Sequence, residues 1–380
     1  MLTDTLLGRS LLWRAPRWGD FNRFPSEPAG ADPGVGPPKV SRQIIDPERV
    51  SVRSHGRFPK MTLASLLSAT DTVALIALRE GSAVFDWRRA GSNVGELGRN
   101  LSVTKSIGWA VIGRALDERD ISPDCRIGSL LPQIADPAVR ELTIAQLMRM
   151  SSGIRYKEGP FPWTDDARVY HGVNLRRAAL RVHVSDPVDA FFHYNDWHPL
   201  LLAIALERIT GRRTAELFRD LWEQIGAGAA TMTTDQRGFD GLAHMESGFN
   251  TTAEGLALFG QLILGKGVWQ DKRLIPARWM TRLFSPESSW QTADAFRYYA
   301  NRPWGRPLLT GHYQYKDFWW HYRPNANIHD LFAMGAMGAH VYVSPDTDCV
   351  IVRQAKSFPK GLWWPPVFRE LAELIRQTGI

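Results

Sequence analysis

Ser102-Val103-Thr104-Lys105 places a hydroxyl and an amine three residues apart at the head of the apolar run Ile107–Leu116. On a helix, residues three apart share a face, so the spacing predicts an amine packed against a hydroxyl in the first turn. A serine hydroxyl is a weak nucleophile until a neighbour takes its proton, and a lysine withdrawn from water gives up its own proton more readily. A helix start adds backbone N–H groups without intrahelical acceptors and a partial positive charge, which favour the oxyanion formed when serine attacks a carbonyl. The chemistry would be acyl transfer through Ser102. The plainer alternative is a helix-start serine beside an exposed lysine, because the same spacing recurs at Ser357-Phe-Pro-Lys360. That second copy contains Pro359 and lies among turn residues, whereas the first opens a helix apolar on most faces, which implies burial.

The elements that must position this pair appear in order along the chain. Phe58-Pro-Lys-Met-Thr through Val73-Ala-Leu-Ile-Ala-Leu-Arg-Glu-Gly reads as a strand and turn, and Thr143-Ile-Ala-Gln-Leu-Met-Arg-Met-Ser-Ser-Gly-Ile154 follows the Ser102 helix at a distance suited to one helical hairpin. Phe192-His-Tyr-Asn-Asp precedes the helical run Leu200–Gly211, and Phe332-Ala-Met-Gly-Ala-Met-Gly-Ala-His-Val-Tyr-Val-Ser-Pro345 reads as a hairpin. Together these stretches resemble the serine β-lactamase-like hydrolases: class C β-lactamases, D,D-peptidases, related esterases, and above all the 6-aminohexanoate-dimer hydrolase type. The resemblance implies an α/β (α+β) fold, an antiparallel sheet flanked by helices and built from both ends of the domain. It places an N-terminal arm at 1–57, a catalytic domain at 58–380 and an inserted helical subdomain at roughly 116–239.

Carried over by position, the resemblance implies Ser102 as nucleophile, Lys105 as its base and Tyr194 as a phenol shared between acylation and proton return. A phenol ionises near pH ~10, so it needs a cation nearby to act as a base at neutral pH, and Lys105 supplies one. The competing reading of Tyr194 is an aromatic core residue beside Phe191, Phe192 and Trp197. The resemblance also implies an oxyanion hole made by the backbone N–H groups of Ser102 and Ala336, the latter directly after Gly335. Two departures stand out. The class C pattern Y-x-N reads Tyr194-Asn195-Asp196, where Asp196 is expected to hydrogen-bond Lys105 and keep it protonated. The Lys-Thr-Gly of β-lactamases is replaced by Ala333-Met334-Gly335, which removes the cation for a substrate carboxylate unless Arg323 or Arg353 compensates. The expected activity is hydrolysis of a small carboxylic ester or linear amide. The alternatives are a β-lactamase or D,D-peptidase, and a binding protein that keeps the fold without turnover.

Composition agrees with a single enzyme domain: 380 residues, 44% hydrophobic and 22% charged. The net charge of +7 comes from basic residues dispersed along the chain, which does not indicate nucleic acid. No G-x-S-x-G elbow or phosphate-binding loop is present, removing the α/β-hydrolase and nucleotide-binding readings. Cys125 and Cys349 form neither a disulfide framework nor a zinc site, and His193 and His198 lack metal-pair spacing and read as pocket-lining or surface residues. No cofactor or metal is expected. Residues 25–38 read as a loop in which prolines and glycines preclude regular structure, and Ser10–Pro25 resembles an extension that wraps the domain. The Trp319-Trp320 and Trp363-Trp364 pairs read mostly as core, with Tyr313–Tyr322 the first place to look for substrate selectivity. The N-terminus lacks the basic start and apolar core of a signal peptide and no run reaches the ~18 apolar residues of a membrane span, so the default expectation is cytoplasmic, with the periplasm open. The oligomeric state is not readable from these features.

Overall fold

The computed structural model describes residues 5–13, 16–30, 45–53, 58–159, 161–238, 240–285, 293–302, 304–357 and 363–378. At its centre is a seven-stranded antiparallel sheet in the spatial order Tyr313–Lys316, Trp319–Tyr322, Asp330–Met334, His340–Ser344, Cys349–Ala355, Thr72–Arg79, Ser82–Arg88. The join between the two ends of the chain is the pairing of Cys349–Ala355 with Thr72–Arg79, in register Val350 to Leu78 and Val352 to Ile76. Both strands are apolar on both faces because helices cover both. Ala253–Leu264 packs against Cys349–Ala355, and so does the C-terminal Pro365–Gln377, whose Phe368 ring lies 5.5 Å from Tyr342. The strands at 73–78 and 340–343 and the helices at 200–209, 253–264 and the C-terminus lie where the sequence predicts them.

The helix Val103–Glu118 is buried on nearly every face. It is followed by two short helices, Ile127–Leu130 and Pro137–Glu141, before Ile144–Arg149, so the expected single hairpin is interrupted. Thr143 caps the last of these through a capping box with Gln146, an arrangement that stops the helix sharply at its N-terminus. A seven-residue helix, Leu63–Ala69, also intervenes between Phe58 and the first central strand.

The reading of 25–38 as structureless is corrected for its first part. Ser26–Gly30 is an edge strand that pairs antiparallel with Ala230–Thr233 in a second sheet, which continues through Phe249–Thr251 to Gly98–Arg99. An edge strand tolerates Pro28 because its outward side has no ladder bond to lose, and the register shifts between Pro28 and Gly30. Residues 31–38 lie outside the described residues, as does Lys360 of the second S-x-x-K. No helix of the described residues is long and apolar enough to cross a membrane.

His193 and His198, expected in a pocket or at the surface, are core residues. His198 is 1% exposed and its Nε2 lies 2.6 Å from Ser152 Oγ. Burial pulls the imidazoles of His193, His198, His329 and His340 down to about 4, 3, 4 and 3, and lowers His321 as well. Unfolded histidines take up protons near pH ~6.5. Between that value and the depressed folded values the unfolded chain binds more protons, so stability is complete above pH ~6.5 and declines as pH falls toward 4. Asp330, raised by burial to about 6, and Glu27 and Glu158, also raised by burial, oppose this trend as three carboxyls against five imidazoles. The urea midpoint is therefore expected to fall steadily from pH 7.5 to 5, and His198→Gln to flatten the slope. A wild-type midpoint that is constant over that range contradicts this account.

Candidate active site

Ser102 stands at the N-cap of Val103–Glu118, and its turn is set by Leu101, a non-glycine residue at φ 46°. Left-handed backbone at a leucine is unfavourable and persists only where packing enforces it, as at this 4% exposed position. One helical turn on, Lys105 is 1% exposed and its Nζ donates to Ser102 Oγ at 2.9 Å and Glu246 O at 2.8 Å and forms an ion pair with Asp196 Oδ1 at 2.8 Å. Two acceptors and one carboxylate thus surround the ammonium. Burial works against that charge, but Asp196 and then Tyr194 outweigh it and hold Lys105 above the ordinary lysine range. Asp196, expected to hydrogen-bond Lys105, meets it as an ion pair at 2.8 Å.

Tyr194 arrives from the segment preceding Trp197–Thr210. Its backbone is clamped on successive residues: Phe192 N–H donates to Ala295 O at 2.9 Å, His193 N–H to Met150 O at 2.9 Å and Tyr194 N–H to the Tyr299 hydroxyl at 2.8 Å. The half-buried Tyr194 side chain interacts with both Ser102 and Lys105, and Lys105 Nζ lies 4.7 Å from its ring centroid. Burial raises the phenol's pKa, Lys105 opposes that shift, and the net direction is upward. Asn195 faces away: its amide donates to Ile154 O at 3.0 Å and its Oδ1 accepts the Trp197 N–H at 2.9 Å. The asparagine of the Y-x-N pattern is thus replaced by Asp196, whose Oδ2 accepts from Tyr156 at 3.0 Å.

Ser102, Ala336, Asp196 and Glu246 line one cavity of about 540 Å³. Among the described residues, neither the Ser102 nor the Ala336 backbone N–H has an acceptor. Gly335 holds the hairpin closed, its N–H donating to Ala339 O at 2.8 Å and its O accepting from Gly338 N–H at 2.7 Å. A Cβ at Gly335 would lie 2.1 Å from Asn100 O, so the hairpin and the Ser102 turn touch backbone to backbone. Arg353, weighed as a compensating cation, is buried beneath this hairpin and donates to Gly338 O, Thr70 O and Thr72 Oγ1. Burial lowers its pKa to about 9. Neither Arg353 nor Arg323 lines the cavity.

Several parts of the site were not anticipated. Glu246 contributes its carbonyl to Lys105 from 141 residues away and has one carboxylate oxygen without a hydrogen-bond partner among the described residues, and no local pattern marks it. Its acid strength is raised despite burial, chiefly by His244 at 2.6 Å. The outer wall is formed by Gly159, residues within 161–171, and Ser10 and Pro16 near the N-terminus, where Arg9 also donates to Gly172 O at 2.9 Å. Tyr313–Tyr322, favoured for selectivity, instead backs Tyr194: Tyr315 and Trp320 lie 5.8 and 6.5 Å from its ring, and both are buried. No group of three or more metal-ligating side chains occurs among the described residues.

A sequence model of the family described as Beta-lactamase matches residues 59–362. The chain is 27% identical over 308 residues to a 6-aminohexanoate-dimer hydrolase of Paenarthrobacter ureafaciens, covering 77% of this chain and 74% of that protein. Among solved structures, a candidate 6-aminohexanoate-dimer hydrolase from Bacillus anthracis superposes with TM-score 0.79 at 20% identity, covering 94% of this chain and 92% of that one. A family VIII carboxylesterase superposes with TM-score 0.59 at 15% identity, covering 83% of this chain and 95% of that one. A penicillin-binding protein from Bacillus halodurans gives TM-score 0.59 at 14% identity, covering 82% and 99%.

Proposed function

The chain belongs to the beta-lactamase family of serine hydrolases, and from that premise we propose that it cleaves a small carboxylic ester or linear amide through an acyl-enzyme on Ser102. The observation that carries this reading is Lys105 Nζ, 2.9 Å from Ser102 Oγ in the wall of the cavity, with the Tyr194 phenol interacting with both. Once the coupled Lys105–Tyr194 pair has released one proton to solvent, Ser102 Oγ attacks the carbonyl carbon as its own proton passes to that pair. The carbonyl oxygen becomes an oxyanion held by the Ser102 and Ala336 N–H groups. Collapse breaks the ester or amide bond, and the pair returns the proton to the leaving group. Water then attacks the acyl-enzyme by the same route. The proton belongs to the pair rather than to either residue alone.

The lining charges favour neutral or cationic substrates. Asp166, Asp196 and Glu246 face the cavity, while the nearest lysine, Lys105, is buried with its donors occupied. A carboxylate-bearing substrate such as a β-lactam would face Asp166 and Glu246 with no lysine or arginine among the described lining residues to hold it. The 6-aminohexanoate dimer in the name of the 27% identical relative agrees in its linear amide bond and its ammonium end, though not in its carboxylate.

The deciding experiment treats the protein with a fluorophosphonate and, separately, a cephalosporin, locates any adduct by peptide mass, and follows p-nitrophenyl butyrate turnover. A fluorophosphonate adduct on the Ser102 peptide with ester turnover is expected. Cephalosporin turnover would favour a β-lactamase, and folded protein with neither adduct nor turnover would favour a non-catalytic binder. Asp196→Asn supplies a second check. Asp196 raises the pKa of both Lys105 and Tyr194, so its neutralisation should move the acid limb of kcat/KM to lower pH by about one unit or more. Uniform loss of activity without that movement would assign Asp196 to positioning alone.

A further inference from the structure

The helix Asp165–Tyr170 presents Asp166, Ala167, Val169 and Tyr170 to the Ser102 cavity and Asp165 and Arg168 to a second cavity of about 460 Å³. Around this second cavity stand Arg155, Lys157, Arg168, Arg177 and Arg181, all exposed, with His183 beside them. Only Arg168 has a carboxylate partner, Asp165 at 3.1 Å. Arg155, Lys157, Arg177 and Arg181 have none among the described residues. The floor is apolar and buried, formed by Trp197 and Val182. Asp165 offsets Arg168, and the four remaining unpaired cations around one concavity repel one another and focus a positive field on whatever enters. An anion carrying more than one charge removes the repulsion and offers guanidinium groups the paired oxygens they bind best.

The cations converge on a bounded hollow rather than run along a stripe, and its volume lies within the ~300–1,000 Å³ of small-molecule sites. Trp163, 67% exposed, stands at the edge and stacks on Phe161 at 4.8 Å, with the two rings 3° from parallel. Phe161 lines the Ser102 cavity. We propose that this basic cavity binds a small organic molecule bearing two or more phosphate groups, and that occupancy is felt at the Ser102 cavity through the shared helix and the Phe161–Trp163 stack. A second connection is covalent: Tyr156, which donates to Asp196, lies between Arg155 and Lys157, and Trp197 follows Asp196.

Binding is read without turnover, so its outcome is separate from that of the hydrolase reading. ATP, tripolyphosphate and a single-stranded 20-mer oligonucleotide are titrated into the intact protein by calorimetry, with tryptophan fluorescence in parallel. Saturable one-to-one binding of ATP is expected, with tripolyphosphate binding more weakly if Trp163 stacks on the base. The double variant Arg177→Glu/Arg181→Glu should weaken ATP binding by about tenfold or more, because each lost charged pair is worth on the order of that factor. Its ester kcat without ATP should equal wild type, and ATP should shift the ester KM of wild type alone. Should the double variant not fold, Lys157→Glu gives the same readout. No saturable binding of either small anion, binding only of the 20-mer, or affinity unchanged in the variants would overturn the site. Binding that leaves the ester KM untouched would overturn the coupling.

Discussion

Ser102→Ala should lower kcat for p-nitrophenyl butyrate by at least about 10⁴-fold, the scale of losses when the nucleophile of a cooperating constellation is removed. Lys105→Met should cost about 10²–10⁴-fold, the usual worth of one half of a proton-transferring pair. The double variant should be no worse than Ser102→Ala, because each residue acts only through the other. Methionine retains the length and apolar stem of lysine, so packing within the buried helix is preserved. What disappears is the ammonium that satisfies Ser102 Oγ, Glu246 O and Asp196. Leaving those acceptors unpaired costs about 1–3 kcal/mol, which a thermal melt distinguishes from the catalytic loss. Fluorophosphonate labelling should vanish in Ser102→Ala and slow sharply in Lys105→Met. If either folded variant keeps a tenth of wild-type turnover, the proposed nucleophile and base are wrong.

Gly335→Ala should be nearly as damaging although the new methyl group takes no part in chemistry. Its Cβ would lie 2.1 Å from Asn100 O and 3.1 Å from Asn100 C, and both are backbone atoms that cannot rotate aside. The hairpin must therefore move away from the Asn100–Ser102 turn. Those two segments carry the Ala336 and Ser102 N–H groups that have no acceptor among the described residues. An oxyanion hole works only while both donors lie within hydrogen-bond distance of one oxygen, and losing one donor costs about 10²–10³ in kcat. The expected signature is a fall in kcat of that size with KM little changed and a destabilisation of about 1–3 kcal/mol from overpacking. A variant that keeps kcat within about threefold of wild type would show that this close approach serves packing rather than the proposed hole.

The order of the strands and the major helices was readable because each is specified by its own apolar run, and the family resemblance supplied the way they assemble. Misreadings fell where distant packing overrides local character. Ser26–Gly30 looked structureless because its prolines and glycine disfavour a strand, yet Ala230–Thr233 supplies a partner and Pro28 sits on the edge. His193 and His198 looked like pocket or surface residues, yet Met150 and Ser152 meet them in the core. Tyr313–Tyr322 contributes aromatic backing for Tyr194 rather than the cavity wall, which comes from Ser10, Pro16, Gly159 and residues within 161–171.

By itself the sequence determined the Ser102–Lys105 pair. Their separation is one helical turn, and a helix fixes the distance between such residues through its own hydrogen bonds, whatever surrounds it. Tertiary structure alone decided the rest of the site: that Glu246 accepts from Lys105 and that Arg353 lies beneath the hairpin instead of in the cavity. Those placements depend on which distant segments exclude water from one another, and that free energy belongs to the packed assembly rather than to any local stretch of chain.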